Sequence, residues 1–567
     1  MGKRDGNPGK HARRDRPPLR WPAIAALSVL AGIGLGFLVF RLGVAAGWRG
    51  RATGVPPGTA VYTELGAAEP TGLNPLVFED PLSRRISSLF YSGLTRLNGA
   101  GEPLPDLATG WTVANAGRVW TFELRRGVKW HDGHDFTAAD VVFTYGALTS
   151  ADFPGSLYNR WQGLQIVRLD AYTVKFTLPA ANPLFPIEVA VPILPEHLLG
   201  EVPYHQWKNH QSARSPVGTG PFKFAAWTKG KEIVTDAYAA YHFGRPAIGR
   251  FRFKVAADVA GGVKSGAGQG GFVPAAAVQG LKQAKGVKVW SWAEPDYWFL
   301  AFNAGTQRPW RDVRLRQALA QAIDKVKVAQ TAAQGNTDSL VVVDGPFVPG
   351  WWPHAPGLKS VPYEASRARE LLSAAGWHDA NGDGFLESQV DNRPLSMTIT
   401  TVKGQEGEVR PEARAAAAMV DDFKAVGVKV QVEALDFAAV TQKLAPPFDF
   451  DAVLLHWPLD PNPDVRDLFA SGARPAIDNY AIIRGGANFV GLTSTTVDRL
   501  LNDVSTTTDF VRLKEAYHRL EQAVVDMQPY VFLWAPEQHY AVQASVDGPA
   551  PGPWSIFWNV HQWRIKK

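Results

Sequence analysis

Trp457 and Asp460 are the residues whose types and spacing promise the most chemistry. An apolar run over 450–457 ends in His456-Trp457, and the chain then breaks into Pro458-Leu459-Asp460-Pro461-Asn462-Pro463-Asp464. In open α/β sheets, ligands bind beyond the carboxyl ends of strands. This position therefore offers a solute an aromatic wall and an anion. Asp460 equally suits an Asp-Pro bend, its carboxylate turned back on the turn's own backbone, and taken alone the residue favours that plainer reading.

Three other clusters carry ligand-type residues. His131-Asp-Gly-His134-Asp135 sits in an Asp-Gly turn just before a capped helix, with no third ligand at a metal-site spacing, and reads as a structural turn. Asp379-x-Asn381-x-Asp383-Gly384 resembles the opening of a calcium loop. Its twelfth position is Val390, although Glu387 offers a partial substitute, and an Asx/Gly turn is the expectation. Gly266-x-Gly268-x-x-Gly271 has the dinucleotide string but neither a directly preceding strand nor an acid over 272–293. The strings of serine hydrolases, zinc proteases and P-loop nucleotide-binding proteins are missing. Paired carboxylates need geometry to be recognised, so a hydrolase stays open as an alternative. The reading is of no enzyme, no cofactor and no metal.

The 567 residues exceed one compact core and predict two or three lobes. Without cysteine there is no disulfide scaffold, Cys-ligated metal, thiol nucleophile or lipidated cysteine at the N-terminus. Ten of the 59 Lys and Arg lie in residues 1–51, against two of the 53 Asp and Glu, so the remainder holds 49 basic and 51 acidic groups. The basic surplus belongs to the tail, and nucleic acid is not an expected partner.

Residues 21–40 carry no charged side chain and are bounded by Arg20 and Arg41. They span roughly 30 Å as a helix, the thickness of a bilayer core. Seven basic residues before them predict a cytoplasmic N-terminus and an exported remainder. A retained anchor is expected, with cleavage at Val44-Ala45-Ala46 as the alternative.

The elements that must position the site are clearest in the second half. Strands are expected at 396–402, 428–433 and 450–457. Helices are expected from Pro411 to Gly427 and over 436–445. This alternation predicts an α/β lobe with a largely parallel sheet. Helical stripes run through Leu315, Leu319, Ala322 and Val326, and through Leu513, Tyr517, Leu520 and Val524. The second stripe stops at Gln528-Pro529 before a strand from Tyr530 to Trp534. In the first half, 119–130 alternates as a hairpin, Thr137-Ala-Ala-Asp140 is a capping box, and 261–271 is a Gly-rich exposed connector. Of the twenty tryptophans, Trp298 and Trp457 are placed at a cleft.

In order along the chain stand GLNP (72–75), LFYSGLTRLNGAGEPLPDLATGWTV (89–113), WTFELRRGVKWHDGHDFTAADVVFTY (120–145), PVGTGPFKFAAW (216–227) and YWFLAFNAG (297–305). They are followed by DVRLRQALAQAID (312–324), ARELLSAAGWHDANGDGF (368–385), FDFDAVLLHWPLDPNPD (448–464) and NFVGLTSTTVDRLL (488–501). Together these resemble the extracellular solute-binding proteins of family 5, the oligopeptide- and dipeptide-binding components of ABC importers. The resemblance implies a type II periplasmic-binding-protein-like α/β fold of two lobes with an extra subdomain, closing on a buried ligand. It makes His131 part of a W-H-D-G turn. In peptide-binding relatives an Asp three residues after a Trp holds the peptide ammonium, and Trp457 and Asp460 occupy those positions. This chain departs from the pattern at His456, where a small residue is usual, in the Pro-rich loop and at 261–271.

The implied organisation is a basic tail (1–20), an anchor or uncleaved signal (21–48), a linker (49–58), lobe I (59–302, with a subdomain over about 85–204), lobe II (303–534) and a return to lobe I (535–567). The candidate ligand contacts are Asp460, Trp457, Trp298, Tyr158 and Asn74. The implied function is extracytoplasmic capture of a small solute, foremost a short peptide, by a membrane-tethered monomer serving an ABC permease and ATPase. A metal chelate, opine or sugar as ligand, a sensor without a transporter, and a secreted hydrolase are the alternatives.

Overall fold

The computed structural model describes residues 59–566, apart from 156–157, 306–307, 337–338, 474–475, 479–480 and 485–486. The expected tail, anchor and linker lie outside the described residues, among which no helix is long and apolar enough to cross a membrane.

The strand Tyr530–Gln543 runs through both halves of a continuous twelve-stranded sheet and joins them. Its first part pairs antiparallel with Asp296–Phe302 and Leu340–Val342. Its second part pairs with Gly270–Val273 and Val287–Ala293. The chain thus crosses between lobes twice, at Ala293–Asp296 and near Pro536, and the crossings touch where the Glu294 N–H donates to Pro536 O at 2.8 Å. The expected strand end at Trp534 is only this crossing. Apolar residues continue to Val542 because the strand is buried again in the first-lobe half of the sheet.

In the first lobe, Val61–Gly66 lies between Arg250–Val255 and Gly270–Val273, parallel to both, and an antiparallel meander of Phe222–Thr228 and Glu232–Ala237 extends the edge. A subdomain sheet orders Ala108–Ala114, Val119–Leu124, Thr173–Thr177 and Gln165–Asp170, all antiparallel. The expected hairpin over 119–130 is therefore not formed. Residues 119–124 pair instead with the preceding strand Ala108–Ala114 and with the distant Thr173–Thr177, and 128–130 lead into the turn before the helix Ala138–Leu148, where the capping box of Thr137 and Asp140 is present.

In the second lobe, Ser396–Val402 runs parallel to Lys429–Leu435 and Ala452–Pro458, whereas Asp296–Phe302 runs antiparallel to Ala452–Pro458. The sheet is mixed, because Asp296–Phe302 arrives from the other lobe rather than through a helical crossover. Asp296–Phe302 is buried on both faces. Tyr297, Phe299 and Ala301 enter one core, Leu300 and Phe302 the other, as a period of two requires. The helices Pro411–Lys424 and Phe510–Met527 form as expected, the second burying Leu513, Tyr517, Leu520 and Val524. The stripe ending at Val326 is two helices, Val313–Ala322 and Lys325–Ala332. Asp324 caps the second, and the break leaves Val326 exposed.

The expected connector at 261–271 is instead the helix Val259–Ser265, closed by Gly266 at φ +79, and the strand Gly270–Val273. Its glycines serve close packing. A Cβ on Gly268 would lie 2.4 Å from Leu65, and one on Gly270 would lie 2.2 Å from the Tyr62 hydroxyl.

Candidate functional site

The site is built at the carboxyl end of Ala452–Pro458. Its antiparallel register sets Trp457 opposite Tyr297 and His456 opposite Trp298. Cross-strand partners share a face and successive residues alternate. Trp457 accordingly stacks with Phe299, 5.8 Å between centroids and 16° between planes. Trp298 lies on the opposite face, between His456 at 4.8 Å and Trp534 at 5.7 Å. The two tryptophans thus do not form one wall, a correction to the expectation. His456 reaches both carboxylate oxygens of Asp296 at 3.2 Å. That hydrogen bond raises its imidazole above the ordinary range against the opposing effect of burial.

Beyond the strand, Asp460 Oδ1 accepts the Asn462 N–H at 3.0 Å, the Asx turn that its sequence suits. Its other oxygen, Oδ2, is ion-paired with Arg160, from the subdomain helix Tyr158–Trp161. Asn462 Nδ2 donates to Glu188 Oε1 at 2.6 Å, from the subdomain helix Phe185–Glu188. Subdomain and second lobe therefore meet at this loop through two polar contacts two residues apart, beside the apolar packing of Leu184 and Ile187 into the second-lobe core. Burial raises the Glu188 carboxyl above the usual range, and Arg160 is the largest opposing influence. For Arg160, burial works against the charge, but Asp460 and Glu188 outweigh it and hold the guanidinium more firmly protonated.

Beside this network lies a cavity of about 380 Å³, lined from the subdomain by Arg160, Trp161 and Glu188 and from the second lobe by Asn462, Asp464 and Tyr517. That volume falls within the usual range for small-molecule sites. Trp161 is buried, and its indole N–H lacks a partner among the described residues, which leaves one donor available beside two carboxylates.

The remaining sequence-selected residues lie elsewhere or are not described. Asn74 is fully buried in the first lobe. Its Oδ1 accepts the Leu76 N–H at 3.1 Å in a turn whose Leu73, Leu76 and Val77 enter the core. Tyr158 begins the helix that carries Arg160, but its side chain lies outside the described residues. Arg160 and Glu188, which sequence reasoning missed, come from elements more than 270 positions away and carry no local signal.

The two metal-like turns are also internally occupied. The fold supplies the third partner that the His131 cluster lacked in sequence, His197 from the helix Glu196–Leu199. Asp132 lies 3.2 Å from His134 Nδ1 and 2.7 Å from His197 Nε2, and the two imidazoles stack at 4.1 Å and 24°. Imidazole lone pairs lie in the ring plane, so rings this nearly parallel do not converge on one ion. The arrangement is a carboxylate shared by two imidazoles. In the 379–387 turn, Asp379 accepts the N–H groups of Gly382 and Gly384 at 2.7 and 3.0 Å, and Glu387 accepts from Ala380 and Asn381.

Residues 102–475 match the family described as "Bacterial extracellular solute-binding proteins, family 5 Middle". The chain is 29% identical over 508 residues to the oligopeptide-binding protein AppA of Bacillus subtilis, covering 88% of this chain and 90% of that one. It is 25% identical over 510 residues to the dipeptide-binding protein of Escherichia coli, covering 85% and 90%. Among solved structures, B. subtilis AppA in complex with a nonapeptide aligns at a TM-score of 0.58 with 27% identity, over 90% of this chain and 99% of that one. HbpA2 from Haemophilus parasuis aligns at 0.73 with 23% identity, over 89% and 100%.

Proposed function

The chain belongs to family 5 of the bacterial extracellular solute-binding proteins, and from that premise we propose that it captures a short peptide between its lobes and delivers it to an ABC permease and ATPase. It is an extracytoplasmic binding protein and not an enzyme. The observation that carries the peptide reading is the placement of Asp460. Its carboxylate stands three residues after Trp457, at a strand's carboxyl end, and meets the subdomain's Arg160, which with Asn462 lines a cavity of peptide-fragment size whose walls include neither Asp460 nor Trp457. In this reading Asp460 anchors the peptide ammonium, Trp457 backs the adjoining wall and Tyr158 is a further contact, whereas the fully buried Asn74 belongs to the first-lobe core. Trp298 belongs to the packing of the opposite face. The names of the relatives, oligopeptide-binding and dipeptide-binding, support the same ligand class.

The reading extends to the membrane. The uncharged run 21–40 tethers the protein, residues 49–58 link it, and the subdomain is inserted over about 85–204. The lobes divide near Ala293–Asp296 and Pro536, the first some residues before the expected 302 because Asp296–Phe302 pairs within the second lobe. Native mass spectrometry of the purified full-length protein tests the ligand class. A peptide should co-purify, exchange with added unblocked peptide, and be recovered uncleaved. A co-purifying sugar or metal chelate, with no peptide bound, would contradict the reading.

A further inference from the structure

We propose that Arg160 is a specificity gate, whose guanidinium holds the place on Asp460 that a ligand's ammonium must take and passes to Glu188 when displaced. The inference rests on the reading of Asp460 as the amine anchor.

Both oxygens of Asp460 are engaged, one by the Asn462 N–H and the other by Arg160. A peptide ammonium therefore meets an anion that already has its cation, and can bind only by exchange. Arg160 and Asp460 are 38% and 44% exposed, so water reaches the pair and exchange needs no dry, stranded intermediate. A displaced guanidinium must still find a counter-charge, and Glu188 lies on the same cavity wall. Asn462 donates to that carboxylate from the Asp460 loop, so the carboxylate that Arg160 leaves and the one it takes up are held close together. Burial disfavours the charged Glu188 carboxylate and Arg160 is the strongest influence opposing that, so a nearer guanidinium is favourable. The arrangement subtracts the cost of opening the pair from every amine ligand. Ligands that make ample further contacts pass, and those that offer an amine alone are excluded.

The test is calorimetric titration of the full-length chain in detergent with an equimolar mixture of unblocked tripeptides, and with the same mixture N-acetylated. Arg160→Gln should bind the unblocked mixture about five-fold more tightly, the worth of opening a half-exposed pair, and bind the acetylated mixture as wild type does. Arg160→Lys keeps a cation and should behave as wild type. Glu188→Gln should weaken unblocked binding in the wild-type background and leave it unchanged beside Arg160→Gln. Equal or weaker unblocked binding by Arg160→Gln, with an unchanged melting temperature, overturns the gate. If Asp460→Asn still costs affinity in that case, the anchor survives and only the gate falls. Asp460→Asn without effect in either background removes the anchor and the gate together, as does failure of wild type and Arg160→Gln alike to bind either mixture.

Discussion

His131 shows how much one side chain can depend on its surroundings. It is 3% exposed, its Nδ1 accepts the Gly218 N–H at 3.2 Å, and its Nε2 donates to Gly220 O at 3.0 Å. A proton on Nδ1 would face that N–H, and burial pushes the imidazole down to about 4. The depressed value sets the sign. The stabilisation is complete above the unfolded pKa of about 6.5 and is lost as pH falls toward 4, about 3 kcal/mol in all and about 2 kcal/mol by pH 5. Urea unfolding at pH 7 and pH 5 should show a loss smaller by about 2 kcal/mol in His131→Gln than in wild type, the His561 imidazole being depressed to about 4 by burial in both, while the His131 ring resonances should show a neutral imidazole at pH 5. Titration near 6.5 would contradict it. The turn that holds His131 was legible because W-H-D-G is local. Asp460 was half legible: its Asx turn is written in the next two residues, but the Arg160 partner lies on an element 300 positions away. The separation of Trp298 from Trp457 depends on a register that no local pattern fixes.

Among the elements, Gly270–Val273 was the least legible, because glycine reads as flexibility until its neighbours are known. Gly270 lies where Tyr62, Glu64 and Tyr540 converge, with the two hydroxyls 2.6 Å apart and each donating to Glu64 at 2.9 and 2.8 Å. Gly270→Ala forces that cluster apart and should destabilise the protein by about 2–3 kcal/mol, the cost of overpacking a core. Gly280, in the helix Ala275–Lys282, has open space where a Cβ would go, so Gly280→Ala should stabilise it by about 0.5–1 kcal/mol. Denaturant unfolding of both variants checks the contrast, and equal effects would show that the Gly270 cluster yields easily. The second-lobe strands and helices were read nearly to their ends because alternation, Pro411 and the Gln528-Pro529 stop are sequence-local. Their mixed pairing was not, since it depends on a strand entering from the other lobe.

Across the molecule, two lobes joined by two crossings can hinge as a unit, and a ligand held between them shifts the balance only through contacts made on closure. Peptide binding should therefore reduce the radius of gyration seen by small-angle scattering, and tight binding with an unchanged radius would exclude large-scale closure. If 21–40 is retained as an anchor, the full-length protein should stay with membranes through a carbonate wash, and a mature N-terminus at Gly47 would mark a cleaved signal instead. The two-lobed class was legible from alternating elements and ordered motifs; the continuous strand that couples the lobes was not, because its apolar run looked complete at Trp534. The central claim is capture of a peptide amine at Asp460, and its most direct test compares calorimetric affinities of wild type and Asp460→Asn for unblocked and N-acetylated tripeptide mixtures. The account predicts a loss of roughly thirty-fold for unblocked peptide and little change for acetylated peptide, as removal of one partner from a charge pair that the enclosed peptide shields from water requires. Equal affinity of wild type and a folded Asp460→Asn for the unblocked mixture would contradict it.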